Sequence, residues 1–205
     1  PDAERTMNTY LGACVNLDTN DVDESLIKNS KIVYLEGYLF DPPKAKEAFI
    51  KTAKIAKKEQ NLVAMTLSDS FCVGRHRSDF ISFIKNHVDI LFANDDEIKN
   101  LFQCDLEEAK SNIQNIGTEM IITLGPKGSS IYKEERWTNV DPIKPERVMD
   151  TTGAGDLYAS GYLHGRSLNL NAQKCGMMGS VAAAEIISHI GARPIENLKD
   201  LIQNI

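Results

Sequence analysis

Little in this sequence points to a membrane, a metal scaffold or a nucleic-acid surface. No apolar run is long enough to span a bilayer, and no secretory signal is visible at the N-terminus, so the cytoplasm is the expected compartment. The four cysteines, Cys14, Cys72, Cys104 and Cys175, are widely spaced and form no CxxC, which argues against a zinc cluster or a disulfide scaffold. Cys72 and His76 stand four apart, but no third ligand is near in sequence, so no metal is expected there. Basic residues (23) are outnumbered by acidic ones (29), for a formal net charge of -6. That balance argues against a nucleic-acid partner. It leaves a nucleotide substrate open, because local backbone donors and a few basic residues suffice for phosphate. The GxxxxGK[ST] pattern of a P-loop is absent. The acidic stretch beginning at Asp18 fails as a calcium loop. Its sixth position is Asp23 where Gly is needed, and its twelfth is Asn29 where Glu is needed.

What is present suits an α/β core. Hydrophobic residues make up 42% of the 205, enough for one domain with a substantial interior. Residues 31–35 and 62–67 read as apolar strands. Between them Pro42-Pro43 opens a helix from Lys44 to about Lys58, with Ala45, Ala48, Phe49, Ala53 and Ala56 at helical spacing. Strand, helix, strand predicts a parallel sheet, whose functional loops lie at the carboxyl ends of its strands. Gly37 and Ser68-Asp69-Ser70 fall there. Strands are also expected over 88–92 and 119–124, and helices over 24–27, 80–85 and 106–113. Gly125-Pro126-Lys127-Gly128 turns into a hairpin of 129–133 and 136–140. The stretch from Arg5 to Cys14 reads as one or two short strands. Toward the C-terminus come a helix closed by 161–165, a small-residue-rich helix over 171–189, and a short helix over 195–201.

The stretch Asp150-Thr151-Thr152-Gly153-Ala154-Gly155-Asp156 enters the first of these last helices. Glycines there let the backbone turn tightly and approach a ligand, and free first-turn amides can face an anion. An acid beside an anion site is electrostatically awkward, unless its task is to take a proton from a hydroxyl attacking a phosphoryl group. The plainer alternative is capping: Asp156 or Thr152 caps the helix and the glycines shape the turn. Asn94 and Glu97 pose a similar choice. Three apart on a helix, they form either a capping box or an oxygen-rich pair holding waters around Mg²⁺. In the small-rich helix, Gly176, Gly179 and the alanines allow either close helix packing or a flat face for a ring. Arg75-His76-Arg77 is either a solvated helix start or a contact for an acceptor or phosphate. Lys127 is either an exposed turn lysine or a phosphate contact.

The seven residues from Asp150 to Asp156 resemble the C-terminal signature of the ribokinase-like (PfkB) carbohydrate kinases, a family that includes ribokinases, fructokinases and adenosine kinases. The resemblance covers nearly the whole chain and is nearest to the adenosine-kinase-like sugar kinases. It implies a three-layer αβα fold with a mostly parallel central sheet and a small β lid. It implies that Gly153, Ala154, Gly155 and Asp156 form the anion hole, with Asp156 as catalytic base. It places Thr123, Gly125 and Gly128, together with Asn94, Gly191 and Ala192, at an ATP site. It assigns Asn94 and Glu97 to water-mediated magnesium, and Gly37, Asn8, Arg5 and Thr9 to the acceptor's surroundings. The function implied is ATP-dependent phosphorylation of a sugar or nucleoside hydroxyl, with Mg²⁺ and K⁺ as cations and pairing of lid strands into a homodimer as one assembly. Residues 1–15 would be a remnant of the lid and its return strand, residues 16–205 the main nucleotide-binding and catalytic domain, and the family's opening strands would be absent. The readings kept beside it are a noncatalytic nucleotide-binding regulatory domain of the same fold, and a doubly wound domain whose Gly-rich turn is structural.

Overall fold

The computed structural model describes residue 8, residues 10–203 and residue 205. Two compact units emerge, one holding Tyr10–Ile122 with Tyr132–Arg136, the other Thr123–Ile131 with Trp137–Ile205. In the first, Asp23 caps α1 (Glu24–Lys28) by accepting from the amides of Ser25 and Leu26. Then come β1 (Ile32–Glu36), α2 (Pro43–Lys58), β2 (Leu62–Thr66), α3 (Ser70–His87), β3 (Ile90–Asn94), α4 (Asp95–Phe102), α5 (Leu106–Ile116) and β4 (Glu119–Thr123). The hairpin strands β5 (Ser129–Lys133) and β6 (Arg136–Val140) follow, and hydrogen bonding orders the strands β1-β2-β3-β4-β5-β6.

The expected βαβ unit is present. β1 and β2 pair in parallel from Ile32↔Leu62 to Glu36↔Thr66, and β2 pairs in parallel with β3. The register brings Glu36, Thr66 and Asn94 to the carboxyl ends of three neighbouring strands. Ala45, Ala48, Phe49, Ala53 and Ala56 of α2 are all buried, as their spacing requires. Phe40 stacks on Phe80 with ring centroids 4.0 Å apart and meets Phe49 and Phe83 edge-on. That aromatic cluster anchors the 3₁₀ turn Gly37–Phe40 which leaves β1.

In the second unit, α6 (Ala154–Ser167), α7 (Ala172–Ile186) and α8 (Leu198–Leu201) complete the chain. Glycine does not close α6 at 161–165. The helix runs on to Ser167, because Gly161 and Gly165 serve packing rather than termination. A Cβ on Gly161 would stand 2.5 Å from the Met178 carbonyl oxygen, and one on Gly179 would stand 2.8 Å from that of Tyr158. The two backbones touch, and only glycine fits at those crossings. Gly176 faces Val140, Ile131 and Tyr158, so the small residues of α7 serve close packing.

Two other expectations are corrected. Residues 12–14 are not strand: Gly12–Asn16 is a 3₁₀ turn that buries no residue and closes with Leu17 N–H donating to Cys14 O. A strand there would need a partner for its backbone groups, whereas this turn satisfies part of them locally. The last helix begins at Leu198, capped by Asn197, because the amides of Ile195 and Glu196 donate to the Glu185 side chain instead.

Candidate functional site

In the second unit, the turn entering α6 is held from within. Asp150 Oδ1 accepts from the Thr152 amide (2.9 Å) and the Thr152 hydroxyl (2.6 Å). Thr152 is therefore engaged away from the helix. Gly153, the N-cap residue, sits in the left-handed region at φ 82°, and no side chain caps the helix. The capping alternative for Thr152 and Asp156 is thus excluded. The amides of Gly155 and Asp156 have no protein acceptor among the described residues, and both residues are exposed. The Asp156 carboxylate makes no hydrogen bond or ion pair there either. A Cβ on Gly155 would meet nothing within 4 Å, so the space beside these amides is open. First-turn donors with a positive helix end, beside a free carboxylate, suit an anion and a proton acceptor together.

Two further segments are fastened to this turn. Asp150 Oδ2 accepts from the Gly191 amide at 3.1 Å, and Met149 N–H donates to Ile187 O at 2.8 Å. A Cβ on Gly153 would stand 3.3 Å from that of Ala192, so Gly191 and Ala192 lie against the turn. Two residues after Asp156, the buried Tyr158 hydroxyl meets Ser129 Oγ at 2.6 Å, and burial pushes the Tyr158 phenol up to about 12. This bond registers α6 to the segment after Thr123, where Gly125–Lys127 forms a 3₁₀ turn and Leu124 N–H donates to Gly128 O. Gly125 and Lys127 are exposed and Gly128 is buried. Thr123, Gly125 and Gly128, the residues Gly153, Ala154, Gly155 and Asp156, and Gly191 and Ala192 all belong to one unit. Sequence reading gave no role to Asp150 as the tie or to the buried Glu185. A lone acid in the run Ala182-Ala183-Ala184-Glu185-Ile186 was the available signal.

In the first unit, Asn94 closes β3 and caps α4. Asn94 Oδ1 accepts from the Glu97 amide (2.8 Å), Glu97 Oε2 accepts from the Asn94 amide (3.0 Å), and Asn94 Nδ2 donates to Glu97 Oε1 (2.9 Å). The capping box is complete. Glu97 is 7% exposed. Burial pushes its carboxyl up to about 7, the Asn94 amide opposes that, and the charges of Asp69, Asp96 and Glu36 add to it. The donors are all oxygen, and a divalent cation would relieve this crowding of carboxylates. The chemistry therefore fits Mg²⁺. Because both Glu97 oxygens already accept from Asn94, their spare lone pairs suit waters of a hydrated ion.

Gly37 lies at the same carboxyl ends. Its amide donates to Ser68 Oγ at 2.8 Å, and the Ser68 hydroxyl donates to Glu36 Oε2 at 3.0 Å. An added Cβ would collide with the Leu67 carbonyl, so glycine is required for the approach of the two loops. Asn8 is exposed, and Arg5 and Thr9 lie outside the described residues.

Arg75, His76 and Arg77 lie within α3, which kinks at His76. The fold supplies the third group that sequence spacing withheld: Asp41 joins Cys72 and His76, with their ligand atoms within 4.8 Å of one another. Asp41 is already gripped by Arg75 through Nε (3.1 Å) and Nη2 (2.6 Å), and lies 2.8 Å from His76 Nε2. Lys46 Nζ stands 3.4 Å from His76 Nδ1. The Arg75 bond holds the Asp41 carboxyl below its usual range, while burial pushes the Cys72 thiol up to about 12. Two cations and a protonated thiol make this an ion-pair network rather than a divalent-cation site.

Comparison with known proteins finds similar sequences and solved structures. A probable sugar kinase from Rhizobium etli matches with a TM-score of 0.93 and 42% identity, over 96% of this chain and 60% of that one. Adenosine kinase from Sinorhizobium meliloti matches with a TM-score of 0.93 and 41% identity, over 96% and 61%. A nucleoside kinase from Methanocaldococcus jannaschii is 27% identical over 143 residues, 68% of this chain and 46% of that protein. The chain spans about half the length of the first curated relatives it matches. The mixed, mostly parallel sheet flanked by helices is the ribokinase-like α/β architecture. With residues 1–198 matching the model of the pfkB family carbohydrate kinases, the chain belongs to that family.

Proposed function

We propose that the whole protein is an ATP-dependent kinase that phosphorylates a hydroxyl group of a sugar or nucleoside. The observation that carries this reading is the exposed Asp156 carboxylate beside the amides of Gly155 and Asp156, none of them with a partner among the described residues. Those amides hold the transferring phosphoryl charge, and Asp156 takes the proton from the attacking hydroxyl. The Gly125–Lys127 turn and the Gly191-Ala192 segment border the nucleotide. Magnesium, when bound, supplies charge neutralisation at the phosphate oxygens, and Asn94 and Glu97 would hold its waters. Gly37 and Asn8 belong to the acceptor side of this proposal, as does Arg5. The adenosine kinase and nucleoside kinase among the similar proteins favour a ribose-bearing acceptor. A cytoplasmic location and a homodimer belong to the same proposal. No described helix is long and apolar enough to cross a membrane.

The test is a phosphorylation screen of the intact protein with adenosine, other nucleosides, ribose and fructose, with and without Mg²⁺. Magnesium-dependent transfer to one of these acceptors is expected. Tight ATP binding with no transfer to any acceptor would select the noncatalytic regulatory reading instead.

A further inference from the structure

Between the end of α7 and the start of α8 the chain makes an excursion that carries Gly191 and Ala192. Glu185, in the last turn of α7, reaches across its base. Its Oε1 accepts from the amides of Ile195 (2.7 Å) and Glu196 (3.0 Å), and His189 Nε2 lies 3.2 Å from the same oxygen. The side chain is 4% exposed, and its Oε2 is buried without a partner among the described residues. Desolvation opposes the charge, but the amides of Glu196 and Ile195 and the His189 ring hold the Glu185 carboxyl below the usual glutamate range. A buried carboxylate with one oxygen idle is costly to keep, so the bonds at the other oxygen have a use.

The use is legible in what the excursion touches. At its near end Ile187 O accepts from Met149, in its middle Gly191 donates to Asp150, and at its far end Glu185 grips residues 195 and 196. Pinned at these points, the excursion sets Ala192 against Gly153. We propose that Glu185 is a positioning residue, a clamp that seats Gly191 and Ala192 against the phosphate-binding turn and thereby sets affinity for a nucleoside triphosphate. The inference rests on reading that turn as the phosphate site. Glu185 itself contacts neither nucleotide nor acceptor. Its effect falls on nucleotide binding and spares the acceptor.

The experiment uses the intact protein and its Glu185→Ala and Glu185→Gln variants. ATP affinity is measured by titration calorimetry with MgATP, KM is measured separately for ATP and acceptor, and hydrogen exchange is followed at residues 190–196. Glu185→Ala should weaken ATP, in Kd and KM, by about tenfold, the loss expected for charged hydrogen bonds. It should leave the acceptor KM within about twofold and speed exchange at Ile195 and Glu196. Glu185→Gln should restore most of the ATP affinity, since the amide oxygen still accepts from both N–H groups. Should Glu185→Ala not fold, Glu185→Asp, too short to hold both amides, carries the same expectation. An unchanged ATP KM, or an equal loss for ATP and acceptor that Gln does not rescue, would overturn the clamp while leaving the kinase assignment intact. A wild-type protein that neither binds ATP nor transfers phosphate would overturn both.

Discussion

Glu97 and Asp156 occupy the same place on two helices, the third residue of α4 and of α6, yet the chain treats them in opposite ways. Asn94 caps α4 with a side chain and draws Glu97 back into a closed box, where burial and neighbouring acids raise its pKa. Gly153 caps α6 with none, and the Asp156 carboxylate stays exposed, with no partner among the described residues. The cap residue, not the acid, decides whether a first-turn carboxylate is a structural acceptor or a free base. A sequence reader sees an acid near a helix start in both cases. The chemistry follows from the residue three positions before it.

The comparison breaks first at Asp156. Asp156→Asn should lower turnover by about 10²–10⁴-fold while ATP binding and melting temperature stay put, since no partner among the described residues is lost. Near-normal turnover would show that the free acid is not the base. Gly155→Val comes next. An added Cβ there meets nothing within 4 Å, so the fold should persist in thermal melts while transfer drops by about a hundredfold, the scale of a lost anion-site donor. If transfer survives, the open space beside the amides is not where phosphate sits.

Asn94→Ala tests the closed partner. It should cost about 1 kcal/mol of stability through the lost cap and raise the Mg²⁺ needed for half-maximal rate by about 10–100-fold. A stability loss with an unaltered Mg²⁺ dependence would reduce the pair to a cap. The last test is of stability against pH. Glu97 titrates near 4.5 when unfolded and is pushed up to about 7 when folded. The folded state therefore binds more protons between these values. The Glu97 contribution is full below about pH 4.5 and is lost as pH rises through about 7, a change on the order of 3 kcal/mol. Glu97→Gln should flatten that slope in denaturant titrations at several pH values, whereas Asp156→Asn should leave it in place.

Local patterns were readable in the sequence and distant ties were not. The spacing of Ala45, Ala48, Phe49, Ala53 and Ala56 gave the buried face of α2, because helical periodicity is a property of neighbours in the chain. The Asp150–Asp156 motif located the turn, since glycine and helix entry are local too. The 3₁₀ turn at Gly12–Asn16 was misread as strand, because alternation over a few residues cannot report whether a partner strand exists. Asp41 joining Cys72 and His76, and Glu185 gripping Ile195 and Glu196, depend on contacts that only the folded chain creates. Gly161 reads as a helix terminator in sequence, and its real constraint is the carbonyl of Met178.

The seam between α6 and α7, where main chain rests directly on main chain, has no side-chain cushion to yield as temperature rises. The strut bearing Asp156 can neither slide nor roll without collision. On heating, the proposed site should therefore hold its geometry until the seam parts, and then fail together with the unit that contains it.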